Sequence, residues 1–301
     1  MMSSIRSASP ELTEMCDYVL QVKGKRIRPS MCILVHRAYG GKDAEKAINT
    51  GASIELIHNA TLIHDDINDE GELRRGRKAL YREYALGKSI VTGDYLYAIG
   101  VLLTSAYGNV TRYVLEAAAS MGTGEFNQKD FEHRGEVSEE DYMKIINGKT
   151  AQLIECSAKC GAYLAGVGGS ALDDICVFAN RVGMAFQIVD DMLDIVGDEN
   201  ITGKPVGSDI YEGKPTLPLI YAMQNAEHGE EIRRVFEMVK PSKEETSHAI
   251  RLIKQTDAIE RCTAKAQGLV DEALTKIVHI EDSEYKRALT GMANYIVSRD
   301  R

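Results

Sequence analysis

The chain has 301 residues, 44% of them hydrophobic, enough to bury a sizeable core as one large domain or two ordinary ones. A formal net charge of −9 argues against a nucleic-acid partner, because binding a phosphate backbone needs a basic face. The six cysteines are scattered without histidine-flanked metal spacing and read as reduced, mostly buried thiols, while no apolar window is predicted to be a signal peptide or transmembrane segment; a cytoplasmic protein is expected. Tryptophan is absent and prolines number only six, which leans the reading towards helix.

Ser9-Pro10-Glu11 supplies an N-cap, a proline at the first helical position and an early acid, predicting a helix over 10–22. A basic turn follows, Lys23-Gly24-Lys25-Arg26-Ile27-Arg28-Pro29, and then a buried helix over 30–39 closed by Gly40-Gly41. A long helical pattern starts near Asp43 and ends in Leu62-Ile63-His64-Asp65-Asp66-Ile67-Asn68-Asp69, with His58 two turns before Asp65. Helices are predicted over 89–107 and 110–131, the second carrying Glu125 and Gln128. Ser138-Glu139-Glu140-Asp141 reads as a capping box opening the helix that holds Lys149 and Thr150. Beyond the turn at Gly168-Gly169, a helix from about Ala171 carries Gln187-Ile188-Val189-Asp190-Asp191-Met192-Leu193-Asp194. A long irregular loop over 197–215 leads back to helix, with a second capping box at Ser242 to Glu245. No stretch alternates long enough to read as a strand, and no linker divides the chain. The reading is all-α: a single large helical bundle spanning 1–301 around a central cavity.

Three carboxylates recur at one spacing, Asp65, Asp66 and Asp69, then Asp190, Asp191 and Asp194. On a helix the first and last members of each set stack on one face. Like charges so placed repel by about 1–4 kcal/mol per pair at surface dielectric, so such clusters call for cations. Each is followed by a glycine loop carrying Arg or Lys, Arg74-Arg75-Gly76 and Gly203-Lys204. Oxygen-only donors suit hard divalent ions, and Mg2+ is typically held by one or two carboxylates plus phosphate oxygens. Two such clusters facing across a cavity would contain a diphosphate and activate it as a leaving group.

These motifs resemble those of the trans-isoprenyl diphosphate synthases of the polyprenyl synthetase family, and the resemblance covers nearly the whole chain. Residues 62–76 are similar to the family's first aspartate-rich motif and 186–194 to its second; Gly24 to Pro29, Gly93-Asp94-Tyr95, Lys149-Thr150 and the loop 203–218 fall in family order. The resemblance implies an isoprenoid-synthase bundle that transfers an allylic prenyl group to isopentenyl diphosphate, head to tail, releasing diphosphate. It implies that Asp65, Asp66, Asp69, Asp190, Asp191 and Asp194 hold Mg2+, three ions per site, some of the six acting from behind the direct ligands. Arg74, Lys149, Lys204 and Lys214 would grip the allylic diphosphate. Lys25, Arg28, His58 and Arg75 would bind the isopentenyl diphosphate, and Thr150 and Gln187 would turn oxygen dipoles to the allylic cation. A homodimer is implied as well.

Product length is read from the residues one turn before Asp65, which are Ala60 and Thr61, with Ile57, Leu56 and Ser53 deeper. Short-chain members of the family carry bulky aromatics there, so small residues imply a product of geranylgeranyl length or longer. A farnesyl diphosphate product, a class I terpene cyclase and a non-catalytic partner subunit of a synthase are the competing readings. The cationic set Lys25 and Arg28 disfavours a cyclase, and the six intact aspartates disfavour a non-catalytic subunit. Lys78-Ala79-Leu80 and Lys23 depart from the family pattern without touching a metal or diphosphate position.

Overall fold

A computed structural model describes residues 5–22, 24–197 and 206–298. Lys23, Gly203 and Lys204 lie outside the described residues. The described chain is helical apart from one small hairpin, as the all-α reading expects. In order it runs α1 (Pro10–Leu20), α2 (Ile27–Ala38), α3 (Ala44–Asn68), β1 (Leu73–Arg74), β2 (Arg77–Lys78), α4 (Leu80–Glu83), α5 (Leu86–Thr104), α6 (Asn109–Phe131) and α7 (Glu139–Ile146). A π-helical turn, Asn147–Ala151, leads into α8 (Gln152–Leu164), followed by α9 (Ser170–Val196), α10 (Ser208–Glu212) and α11 (Leu217–Ala222). The chain closes with α12 (Gly229–Phe236), α13 (Lys243–Ile253), α14 (Ala258–Lys276) and α15 (Glu284–Ser298).

The helix starts follow the sequence signals. Ser9 accepts from the Leu12 amide at 3.3 Å ahead of Pro10, and Ser138 and Ser242 both make complete capping boxes with Asp141 and Glu245. Two helices start three residues before their expected positions, α2 at Ile27 and α5 at Leu86. α2 does so because Arg26 takes a left-handed backbone with φ 52° and turns the chain directly into the helix. The hairpin was not predicted, since a two-residue ladder offers no alternation to read. Its turn is Arg75-Gly76 with φ 52° and 77°, the mirror-image turn that matches strand twist, and Leu73 pairs with Lys78 and Arg74 with Arg77.

The chain divides into two compact units, Met1–Ala118 with Cys156–Cys176 and Ile280–Leu289, and Ala119–Glu155 with Val177–His279 and Thr290–Arg301. In the first, α3 packs chiefly on α5 and next on α2. Gly100 allows the close approach to α5: a Cβ there would lie 2.8 Å from Ile57 Cγ1, and Ser53 Oγ donates to the Gly100 carbonyl at 2.5 Å. α5 is the one described helix with the length and apolarity of a membrane span; it carries Lys88 and Asp94, and its Leu96, Gly100 and Thr104 are buried. In the second unit every residue of α11 is buried, and the helix packs on α14. Tyr221 of α11 donates to Glu139 at 2.7 Å beneath the Arg261 guanidinium, 3.7 Å from its ring centre. All six cysteines are free thiols, five of them buried.

Candidate active site

In the first unit, α3 delivers its carboxylates at its last turn. Asp69 is the C-cap, its amide bonded to the Asp65 carbonyl at 2.9 Å, so the helix ends where the cluster does. Asp65 and Asp69 are half-buried, whereas Asp66 is 5% exposed. The hairpin folds Arg74 back over this end: its Nε donates to Asp66 Oδ1 at 2.7 Å, and its Nη2 reaches the same oxygen. Burial opposes the Arg74 cation, but Asp66, Asp65 and Asp69 outweigh it and hold its pKa above the usual arginine value.

The same unit gathers the cations assigned to the acceptor. Gly24 backs onto Arg75 so closely that a Cβ would lie 2.8 Å from its Nη1, which brings the Gly24 to Pro29 turn against the hairpin. Lys25 is exposed, and Arg28, His58 and Arg75 are half-buried. His58 stands among like charges: burial first, then Arg28, Arg75, Arg74 and Arg26, drive its pKa well below the ordinary histidine value. It is therefore a neutral imidazole at pH 7, able to donate one hydrogen bond to an anion. The residues chosen for chain length are closed in. Leu56 and Ile57 are fully buried and Ala60 is 1% exposed, with Leu56 and Ala60 packed among Met15, Ile63 and Leu96. Thr61 is half-buried and returns its hydroxyl to the His58 carbonyl at 2.9 Å.

The second unit repeats the arrangement with different partners. Asp190 is exposed, Asp194 half-buried, and the middle member, Asp191, 7% exposed. Asp191 accepts on both oxygens, from Tyr142 Oη at 2.7 Å and from Gln187 Nε2 at 2.7 Å. Gln187 in turn accepts from Thr150 Oγ1 at 2.7 Å. Burial pushes the Asp191 carboxyl up to about 7 against those two donors, and burial together with Asp191 pushes the Tyr142 hydroxyl well above its ordinary value. Asp194 faces the exit loop, where Ser208 Oγ donates to Oδ1 at 2.6 Å and the Asp209 amide to Oδ2 at 3.0 Å. Asp209 is pushed well above the carboxylate range, by burial first and by Asp194 and Asp191 next.

Lys149 and Thr150 sit on the π-helical turn, a form that concentrates at functional sites. The turn is wedged against α6, since a Cβ on Gly124 would lie 2.5 Å from the Lys149 amide. Lys149 Nζ pairs with Glu125 Oε2 at 2.6 Å and donates to Gln128 Oε1 at 3.2 Å. Lys214 Nζ pairs with Glu212 at 2.6 Å, in a loop fixed by the His133 amide donating to the Gly213 carbonyl at 2.9 Å. Tyr142, Glu125, Glu212, Asp209 and the Arg26–Glu55 pair are site neighbours to which sequence reasoning gave no role, although it noted Glu125, Asp209 and Arg26 in passing. Tyr142 lies two turns before Lys149 and Glu55 one turn before His58, so helical phase alone was the available signal.

The donor set fits a hard divalent cation. Each cluster sets two accessible carboxylates around a middle one that other side chains hold in place. Among the described residues no three metal-ligating side chains converge into a closed cage. Mg2+ requires none, since it keeps waters and takes one or two carboxylates plus phosphate oxygens.

Comparison with known proteins gives one answer. The family model described as polyprenyl synthetase matches residues 9–254. Heptaprenyl diphosphate synthase component 2 of Geobacillus stearothermophilus is 35% identical over 301 residues, covering 99% of this chain and 92% of the relative. Octaprenyl diphosphate synthase of Escherichia coli is 33% identical over 94% of this chain and 88% of its own. Among solved structures, a polyprenyl synthase from Caulobacter crescentus CB15, complexed with calcium and isoprenyl diphosphate, is similar with a TM-score of 0.94 and 28% identity, covering 100% of this chain and 92% of the other.

Proposed function

The chain belongs to the polyprenyl synthetase family and is a prenyl-transferring enzyme of the isoprenoid-synthase fold, and from that premise we propose that it condenses an allylic diphosphate with isopentenyl diphosphate, with Mg2+, to a trans-polyprenyl diphosphate of geranylgeranyl length or longer. The observation that carries this reading is the pair of matched carboxylate clusters, each with its middle aspartate held by neighbouring side chains and its outer ones accessible.

In this reading Asp65, Asp69, Asp190 and Asp194 hold Mg2+ directly, while Asp66 and Asp191 act from behind them. The bound metal would supply Lewis-acid stabilisation of the departing diphosphate. Arg74, Lys149, Lys204 and Lys214 grip that diphosphate, and each described member of the set stands beside a carboxylate. Lys25, Arg28, His58 and Arg75 hold the acceptor's diphosphate apart from the metal clusters, so that it is retained in the product. Thr150 and Gln187 stabilise the allylic cation once the C–O electron pair has left with the diphosphate. The acceptor double bond then attacks that carbon, a C–C bond forms, and the proton lost from the acceptor goes to the released diphosphate. No protein general base is required.

The second cationic set weighs against a terpene cyclase, which has no second diphosphate to bind. The relative whose name makes it one component of a synthase supports a second possibility for assembly, in which this chain works with a different subunit rather than as the homodimer its family resemblance implies. A single assay addresses the proposal. Purified protein is incubated with Mg2+, farnesyl diphosphate and labelled isopentenyl diphosphate, and the products are sized by chromatography. Elongated diphosphates support the reading; cyclic hydrocarbons, or no turnover by the chain alone and with a synthase partner, contradict it. A cytoplasmic location is part of the same proposal and is checked by fractionating cells.

A further inference from the structure

Arg26 stands at the centre of the basic turn and has none of the roles given above. Its backbone is left-handed, φ 52°, a conformation that a non-glycine residue keeps only where its surroundings hold it there. Its side chain supplies the hold. Nη1 donates to Glu55 Oε1 at 2.6 Å, and Nη2 donates to the carbonyls of Leu20 at 3.1 Å and Val22 at 3.4 Å. One guanidinium thereby ties the end of α1, the turn and α3 together.

Glu55 is 3% exposed, and a carboxylate so placed needs a partner. It sits one helical turn before His58, so the anchor and the imidazole rise from the same face of α3. Lys25 precedes Arg26, and Arg28 follows it in the first turn of α2. Glu55 balances the Arg26 charge, and Arg26 stands last among the arginines that depress the His58 pKa, after Arg28, Arg75 and Arg74.

We propose that the Arg26–Glu55 pair is a positioning device for the acceptor: it fixes the register of the basic turn on α3 so that Lys25, Arg28 and His58 converge on one diphosphate that neither Arg26 nor Glu55 touches. This rests on the acceptor-site reading above and adds two residues to it. The Arg26 guanidinium is bonded to Glu55 and to the carbonyls of Leu20 and Val22, so the pair is expected to act on the acceptor alone.

The test separates the two substrates. Glu55→Gln keeps the shape of the side chain and removes its charge, and Arg26→Gly breaks the pair from the other side while suiting a left-handed backbone. Both variants should raise KM for isopentenyl diphosphate about tenfold, with KM for the allylic substrate and kcat changed by less than about twofold. The double variant should lose no more than either single one. Glu11→Gln, which breaks the exposed pair with Lys88 in the same unit, is the control and should leave all parameters as in the parent chain. Calorimetric binding of isopentenyl diphosphate without metal or allylic substrate gives a readout independent of turnover. Equal weakening towards both substrates, or unchanged acceptor binding in folded Arg26→Gly, would overturn the positioning role alone. Failure of the parent chain to bind isopentenyl diphosphate would overturn the acceptor-site reading and this inference with it.

Discussion

Asp191 shows how much a single side chain depends on neighbours far away in sequence. Its carboxyl is held by Tyr142, 49 residues earlier, and by Gln187 one turn before it. The aspartates could be read from spacing, but no spacing rule joins residue 142 to residue 191, and the same holds for Lys149 with Glu125 and for Arg26 with Glu55. Tyr142→Phe removes one donor and keeps the ring. A hydrogen bond to a charged group is worth about 1.5–3 kcal/mol, so this variant should need roughly tenfold more Mg2+ for half-maximal turnover, with an unchanged far-UV spectrum. A parent-like Mg2+ dependence would mean that Asp191 is oriented without it. Buried imidazoles give a second prediction. His36 is 1% exposed, and burial is the first cause of its lowered pKa, followed by a bond to the Gly161 carbonyl that raises it and Arg37 that lowers it. With the folded value below the unfolded one, the unfolded chain binds its proton first, so stability is lost as pH falls through the ordinary histidine range. The melting temperature should drop between about pH 7.5 and 5.5, and His36→Gln should flatten that slope. A slope unchanged by the substitution would assign the acid loss to other groups, with His58 the next to test.

Helices announced themselves wherever a cap or a sustained 3.6-residue period was present. The starts at Pro10, Glu139 and Lys243 agree with their capping residues, and α3 runs unbroken into its aspartates as read. What could not be read depends on backbone angles that composition does not encode: the left-handed Arg26 that brings α2 forward, the two-residue hairpin, and the π-helical turn under Lys149. The last two carry site residues, so local irregularity and chemistry coincide here. The α3 helix also carries the product-length prediction. Ala60 is enclosed by Met15, Ile63 and Leu96, so in the proposed reading of product length a bulkier side chain there would stop the growing chain earlier. Ala60→Phe, with Thr61→Phe as a roomier companion, should shorten the product by at least one isoprene unit when chains are sized. An unchanged distribution in both folded variants would move the length stop away from this face of α3.

At the scale of the whole molecule, each unit carries one aspartate cluster and some of the cations, the first on α3 and the hairpin, the second on α9, the π-helical turn and Lys214. The family and the all-α fold were legible because two motifs of matched spacing and four accessory motifs occur in order over nearly the full chain, a coincidence that chance does not produce. Lys204, which the family resemblance assigns to the allylic diphosphate, lies outside the described residues. The central claim is that both clusters act on one diphosphate. It is tested most directly by titrating inorganic diphosphate, with Mg2+ present, into the parent chain and into Asp65→Asn and Asp190→Asn, and measuring heat. One shared site predicts that either substitution alone removes most of the binding and that the pair removes no more. Two independent sites, each lost with its own aspartate and leaving the other intact, would contradict the account.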